Sequence, residues 1–216
     1  MFTSLSPEIK HAIFCSLPDV ASLEALVLTC SSFYHTFLTA QSLVLKEIMR
    51  SQISADVISL AVVVSKSCDL RPWSRAGVLD FLSHFLEHRA PIMWTLPRAL
   101  HVSHLHSHIK FFAAEFAATK LAGEAQSRPS ISETHRIERT FYVFELYCNL
   151  FRARKPANKD RFSAEEQRDL FFAKFAPWEN EQLACVHDYL FDRLSVGTYR
   201  YEEIAKSLDA DETSLQ

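Results

Sequence analysis

Residues 101–108 read HVSHLHSH, four histidines in eight positions. On a helix, at 100° per residue, His101, His104 and His108 lie within about 60° of each other, with Glu115 on the same side. A neighbouring segment carries His84 and His88 at i,i+4, a spacing that can hold zinc. Yet HFLEH lacks the order of the metalloprotease HExxH, and no cysteine pair accompanies it. The stripe also flanks the apolar face of its own helix. These histidines therefore read as solvated side chains at that boundary, and no metal site is expected.

Other reactive side chains are placed no better for catalysis. A cysteine nucleophile needs a setting that lowers its pKa. Cys185 precedes His187 by two residues, a spacing that does not bring side chains together on a helix, so Cys185 reads as core. Only Gly77, Gly123 and Gly197 are glycine. No G-x-S-x-G elbow and no phosphate-cradling glycine loop occurs. The pairs Glu165-Glu166 and Glu202-Glu203 fall near helix starts, where carboxylates favour the helix dipole. No enzymatic role and no cofactor is expected.

Arg152, Arg154, Lys155, Lys159 and Arg161 form a basic loop broken by Asp160, which reads as a solvated loop. The ending YEEIAKSLDADETSLQ resembles the first helix of a helix-turn-helix, but only eight acidic-rich residues follow Leu208. That leaves no recognition helix for a DNA groove. Trp73, Trp94, Trp178 and the seventeen phenylalanines read as core. In WENEQ (177 onward begins PWENEQ), Trp178, Glu179 and Asn180 sit at a helix start. They could hold a loop by capping or mark a binding edge; the structural role is favoured.

The elements that must position these side chains follow from the totals. The chain has 216 residues, 48% apolar and 23% charged, a soluble globular balance long enough for a real core. Three glycines favour helices joined by short loops over sheet-rich folds. Net charge is -3 and pI near 6.4, so no global positive field exists to hold nucleic acid or an anionic membrane. Five scattered cysteines suggest a reducing compartment, cytoplasm or nucleus, without a disulfide framework. The start lacks the pattern of a signal peptide. The longest apolar run, Leu60 to Val64, is far too short to span a membrane.

Periodicity places the helices. Ser6-Pro7 opens one bearing Ile9, Ile13, Phe14 and Leu17. Asp19 caps a second with Val20, Leu23, Leu26 and Val27, and Phe33, Tyr34 and Phe37 start a third. Helices are expected between Gln41 and Ser67, although Val57 to Val64 is β-branched enough to be ambiguous. Pro72 is read as opening a helix that Pro91 ends. Residues 97–122 carry Val102, Leu105, Ile109, Phe112 and Phe116 at 3,4 spacing, with Gly123 as C-cap. Ser130/Glu133 and Ser163/Glu166 are capping-box patterns. The first precedes Ile137, Phe141, Phe144, Cys148 and Phe151, with Glu138, Arg139, Glu145 and Arg152 on the other faces. Pro177 opens one further helix, and TYRYEEIAKSL closes the chain. The fold class is all-α.

Only Glu8, Lys10, Asp19 and Glu24 are charged among the first forty residues. Three short helices there cannot bury all their apolar side chains within themselves, and each one buried is worth about 1.5–3 kcal/mol. Either the later chain covers them or another protein does. LSPEIKHAIFCSLPDVASLEALVLTCSSFYHTF resembles an F-box, through Leu5, Glu8, Ile9, Ile13, Phe14, Leu17, Pro18, Asp19, Leu23, Leu26, Thr29, Cys30 and Phe33. Ser6 stands where the family usually has Pro, and Phe33 where Trp is frequent. FAPWENEQLACVHDYL (175–190) is similar to a segment recurring in F-box-like proteins of filamentous fungi.

The resemblance implies a three-helix F-box over residues 1–50 and a helical domain of unknown specificity over 51–216. It implies binding to the Skp-family adaptor of a cullin-RING ubiquitin ligase, through Leu5, Pro7, Ile9, Ile13, Leu17, Leu26 and Phe33, and recruitment of an unknown protein substrate. No nucleic acid and no membrane is an expected partner. The alternative is a self-contained helical structural or interaction protein, in which the first helices belong to one common core.

Overall fold

The computed structural model describes residues 5–87, 93–121, 129–151 and 161–213, with side chains described outside 85–87, 121 and 196–213. All regular structure among these residues is helical: α1 (Pro7–Cys15), α2 (Val20–Val27), α3 (Ser31–Gln52), α4 (Ala55–Ser67), α5 (Arg75–Glu87), α6 (Leu96–Phe116), α7 (Ile131–Phe151), α8 (Ala164–Leu170) and α9 (Pro177–Thr213). No single helix among them is long and apolar enough to cross a membrane. The five cysteines are free thiols.

Local chemistry sets most helix starts. Asp19 Oδ1 accepts from the Ser22 N–H at 2.7 Å and caps α2. Both capping boxes form: Glu133 Oε2 accepts from Ser130 N–H at 2.7 Å, and Ser163 and Glu166 hold the start of α8 reciprocally. The ambiguous Val57–Val64 run lies inside α4. Its Val57, Ala61, Val62 and Val64 are buried, so tertiary packing outweighs the β-branched propensity.

Two boundaries differ from the sequence reading. Pro72 does not open α5; the helix starts at Arg75, because Ser74 Oγ accepts the Gly77 N–H at 3.1 Å and supplies the cap. The closing segment is not a separate helix but the continuation of α9. At its end α6 widens into a π-turn over 117–121; the proposed Gly123 cap lies outside the described residues.

One connected core runs from Phe14 to Tyr189. At its centre α7 packs along α4 and also against α6 and α9. That explains a misread position: Glu138, expected on a polar face, is 5% exposed, since neighbours on three sides leave α7 little solvent face. Burial pushes its carboxyl up, although His135 and Lys110 nearby pull the other way. On α6 the expected stripe is inward, but the deepest line runs through Ala99, Val102, Ser103, His106, Ile109 and Ala113. Small side chains there allow close approach to α2, α3, α4 and α7. The residue 50 boundary falls within the last turn of α3, whose Ile48 and Met49 are fully buried.

Candidate functional site

The N-terminal helices are built around a phenylalanine triad. Phe14 from α1 meets Phe33 and Phe37 from α3 edge-on, with ring centroids 5.8 and 6.2 Å apart. Lys10, itself 5% exposed, lies 6.0 Å from the Phe33 ring centre and donates to Ser32 Oγ at 2.6 Å. Phe33, one of the expected anchors, is 3% exposed and packs edge-on against Phe14.

The other anchors divide by helix. Pro7 and Ile9 on α1 are exposed, Ile9 to 51%, and Ile13 is half-buried. Leu5, Leu17 and Leu26 are half-buried and pack on the core. The remainder of the chain reaches α2: Val20, Leu23 and Val27 are buried where α2 packs against α3 and α6. Leu28 is 74% exposed, and Tyr34 and Leu38, one turn apart on α3, are also exposed. Among the described residues the open apolar surface of this region is therefore shared by α1, through Pro7 and Ile9, and α3, through Tyr34, Leu38 and Leu43.

The histidine cluster splits. His101, His104 and His108 are exposed, as their boundary placement predicts, while His106 is buried. Its Nε2–H donates to the Gln52 carbonyl at 3.0 Å, and Nδ1 accepts from the Tyr142 hydroxyl at 3.1 Å. A carbonyl only accepts, so this pairing fixes the neutral tautomer. Burial pushes the His106 imidazole down to about 4 and the Tyr142 phenol upward. The residue fastens α6 to α3 and α7. Among the described residues no three His, Cys, Asp or Glu side chains converge as metal ligands; His88 of the His84/His88 pair lies outside them. Of the basic loop, Arg152, Arg154, Lys155 and Lys159 lie outside them too. Cys185, expected in the core, is exposed, because α9 turns Leu183, Val186 and Tyr189 inward instead.

A second feature gathers where α4, α7 and α9 begin. It is an open cleft of about 570 Å³. From α4 it takes Asp56 and Val57, from α7 Ile131, His135, Arg136 and Arg139, and from α9 Trp178 and Glu179. The WENEQ segment holds its own helix start, the structural one of its two considered parts. Glu179 Oε2 accepts from the Ala176 N–H at 2.9 Å, closing the start of α9, and its Oε1 takes Arg139 Nη1 at 2.5 Å. Burial alone would raise the Glu179 carboxyl; the Ala176 N–H and Arg139 outweigh it and hold it low. Asn180 Nδ2 donates to the Phe172 carbonyl at 3.1 Å. Trp178, however, is 54% exposed and Ile131 78%, so the expected core assignment of Trp178 does not hold. Sequence spacing could show that Ser132, His135, Arg136 and Arg139 share one face of α7; that α9 delivers Trp178 to it depends on the tertiary fold.

Elsewhere, of the paired carboxylates, Glu166 has a structural role. Glu166 binds Arg75 from α5, with one contact at 3.2 Å, besides closing its own capping box. The Arg75 guanidinium, helped by the Ser163 N–H, holds its carboxyl well below the usual range. The side chains of Glu202 and Glu203 lie outside the description. Compared with known proteins, the chain matches no protein-family model, no curated protein and no solved structure.

Proposed function

We propose that this chain is an F-box-type subunit that recruits a protein substrate to a Skp/cullin ubiquitin ligase, with α1 as its adaptor contact and no chemistry of its own. The observation that supports the reading is the uncovered flank of α1. Pro7 and Ile9 face solvent and Ile13 half does. Such side chains are worth about 1.5–3 kcal/mol each when a partner buries them, which makes them suitable anchors for a groove-lined adaptor. Leu5 and Leu17 extend the anchor set at its edges, and Phe33 supports it from within. Recruitment then works by raising the concentration of a bound target near the ligase, in the cytoplasm or nucleus.

A second reading, a self-contained helical interaction protein without ligase role, draws on the packing of α2 against α6, which joins the first helices to the later core. Capture by an immobilised Skp-family adaptor separates the two. Wild type should be retained and Ile9→Asp lost, with Leu5→Ala/Pro7→Ala weakened. Equal retention of all three would refute the α1 contact, and retention of none would refute adaptor binding.

A further inference from the structure

Three histidines of α6 are left unused by the packing. His101, His104 and His108 are exposed and have no hydrogen-bond or ion-pair partner among the described residues. His84, His106 and His187, by contrast, meet the Asp80 carbonyl, the Gln52 carbonyl with Tyr142, and the Asp188 carboxylate. Because α6 is one continuous helix from Leu96 to Phe116, positions 104 and 108 stand one turn apart on one face, with Cβ atoms about 5–6 Å from each other. Position 101 is two turns from 108, about 10 Å along the axis, too far for both to hold one ion. Val102, His106, Ile109 and Ala113 turn the opposite face inward. No cation stands between the two rings: Arg98 reaches back to the Met93 carbonyl, and Lys110 lies about 160° round the helix from His108. Glu115, further along the same side, is taken by the Tyr189 hydroxyl and Arg193.

We propose that His104 and His108 form an open two-histidine site for a divalent transition-metal ion of the zinc class on the solvent face of α6. Histidines four apart on one helix face are a pair that zinc proteins use, and imidazole favours zinc, nickel and copper where magnesium and calcium favour oxygen ligands. A closed structural site takes four protein ligands, and no three such side chains converge among the described residues. The ion therefore keeps its remaining positions for water. The inner face of α6 packs against α2, α3, α4 and α7, so the helix that spaces the two rings is already fixed and binding does not have to order it. The site lies on α6 and not on α1, so the inference goes beyond adaptor binding and stands without it.

The test uses the untagged full chain with Cys15→Ser and Cys185→Ser, which remove the two exposed thiols. It is titrated by calorimetry with zinc, nickel and magnesium chloride. Zinc and nickel should bind and magnesium should not. His104→Ala and His108→Ala should each weaken binding by about tenfold or more, and His101→Ala by less than about threefold. Lys110→His combined with His108→Ala keeps the number of histidines but breaks the one-turn spacing, and should bind as weakly as His108→Ala alone. The imidazole resonances of His104 and His108 should move most on adding zinc. Melting curves verify that the variants fold. Absence of zinc and nickel binding, equal binding of magnesium, binding indifferent to His104→Ala and His108→Ala in folded variants, or full recovery in the shifted variant would overturn the proposal.

Discussion

The two ends of α7 meet aromatic side chains in opposite ways. At its C-terminal end Tyr147 and Phe151 pack with Phe162, Phe171 and Phe172, ring centroids 5.2 to 5.7 Å apart, and Trp73 Nε1–H donates to the Leu150 carbonyl at 2.8 Å. Arg75 lies 4.3 Å from the Phe162 ring centre and carries Glu166 with it. The Tyr147 hydroxyl is paired too, donating to Gln167 Oε1 at 2.6 Å. At the N-terminal end Trp178 and Ile131 meet water instead, over an ion pair that needs neither of them. Aromatic abundance thus serves two purposes in one chain. Where rings interlock and their polar atoms are paired they hold helices together; where they stand over a charged floor they present a surface.

The comparison can be broken by mutation. At the sealed end Phe171, 3% exposed, is the sharper probe: Phe171→Ala should cost about 3–5 kcal/mol in urea unfolding. A loss under about 1 kcal/mol would mean the cluster is not a packing unit. Next comes pH. His106 titrates about 4 in the fold against about 6.5 unfolded. Between those values the unfolded chain binds the extra proton, so stability falls as pH drops through that window, by on the order of 3 kcal/mol, and levels off below it. Glu138, with a raised pKa, acts in the opposite sense, its contribution being lost as pH rises. His106→Gln should therefore remove the acid-side slope of the unfolding midpoint; an unchanged slope would place the sensitive proton elsewhere. Ser163→Ala should lower stability by about 1 kcal/mol through the lost cap of α8, seen as a drop in melting temperature. The smallest effect belongs to the open end. Trp178→Ala should change stability by no more than about 0.5 kcal/mol, and a large loss would make that ring structural after all.

What the sequence made legible was what neighbours along the chain decide. Both capping boxes, the Asp19 cap, the inward stripe of α6 and the all-helical class depend on residues within a turn or two. What it hid was what distant elements decide. Glu138 looks polar-faced until α4, α6 and α9 surround α7. His106 looks like its three exposed neighbours until the Gln52 carbonyl and Tyr142 arrive from other helices. Cys185 and Trp178 changed sides for the same reason, since composition cannot tell which flank of α9 turns to the core. Phe33 reads as an apolar side chain of the third helix, but its edge-on contact with Phe14 depends on the crossing of α1 over α3.

The short helix α2 gives the molecule a keystone. Its eight residues are walled by α3 on one side and α6, some seventy positions further along, on another. Cutting after residue 50 would unroof Val20, Leu23 and Val27 and sever α3 beside its sealed Ile48 and Met49. The amino-terminal trio thus shares its floor between its own phenylalanine triad and α6.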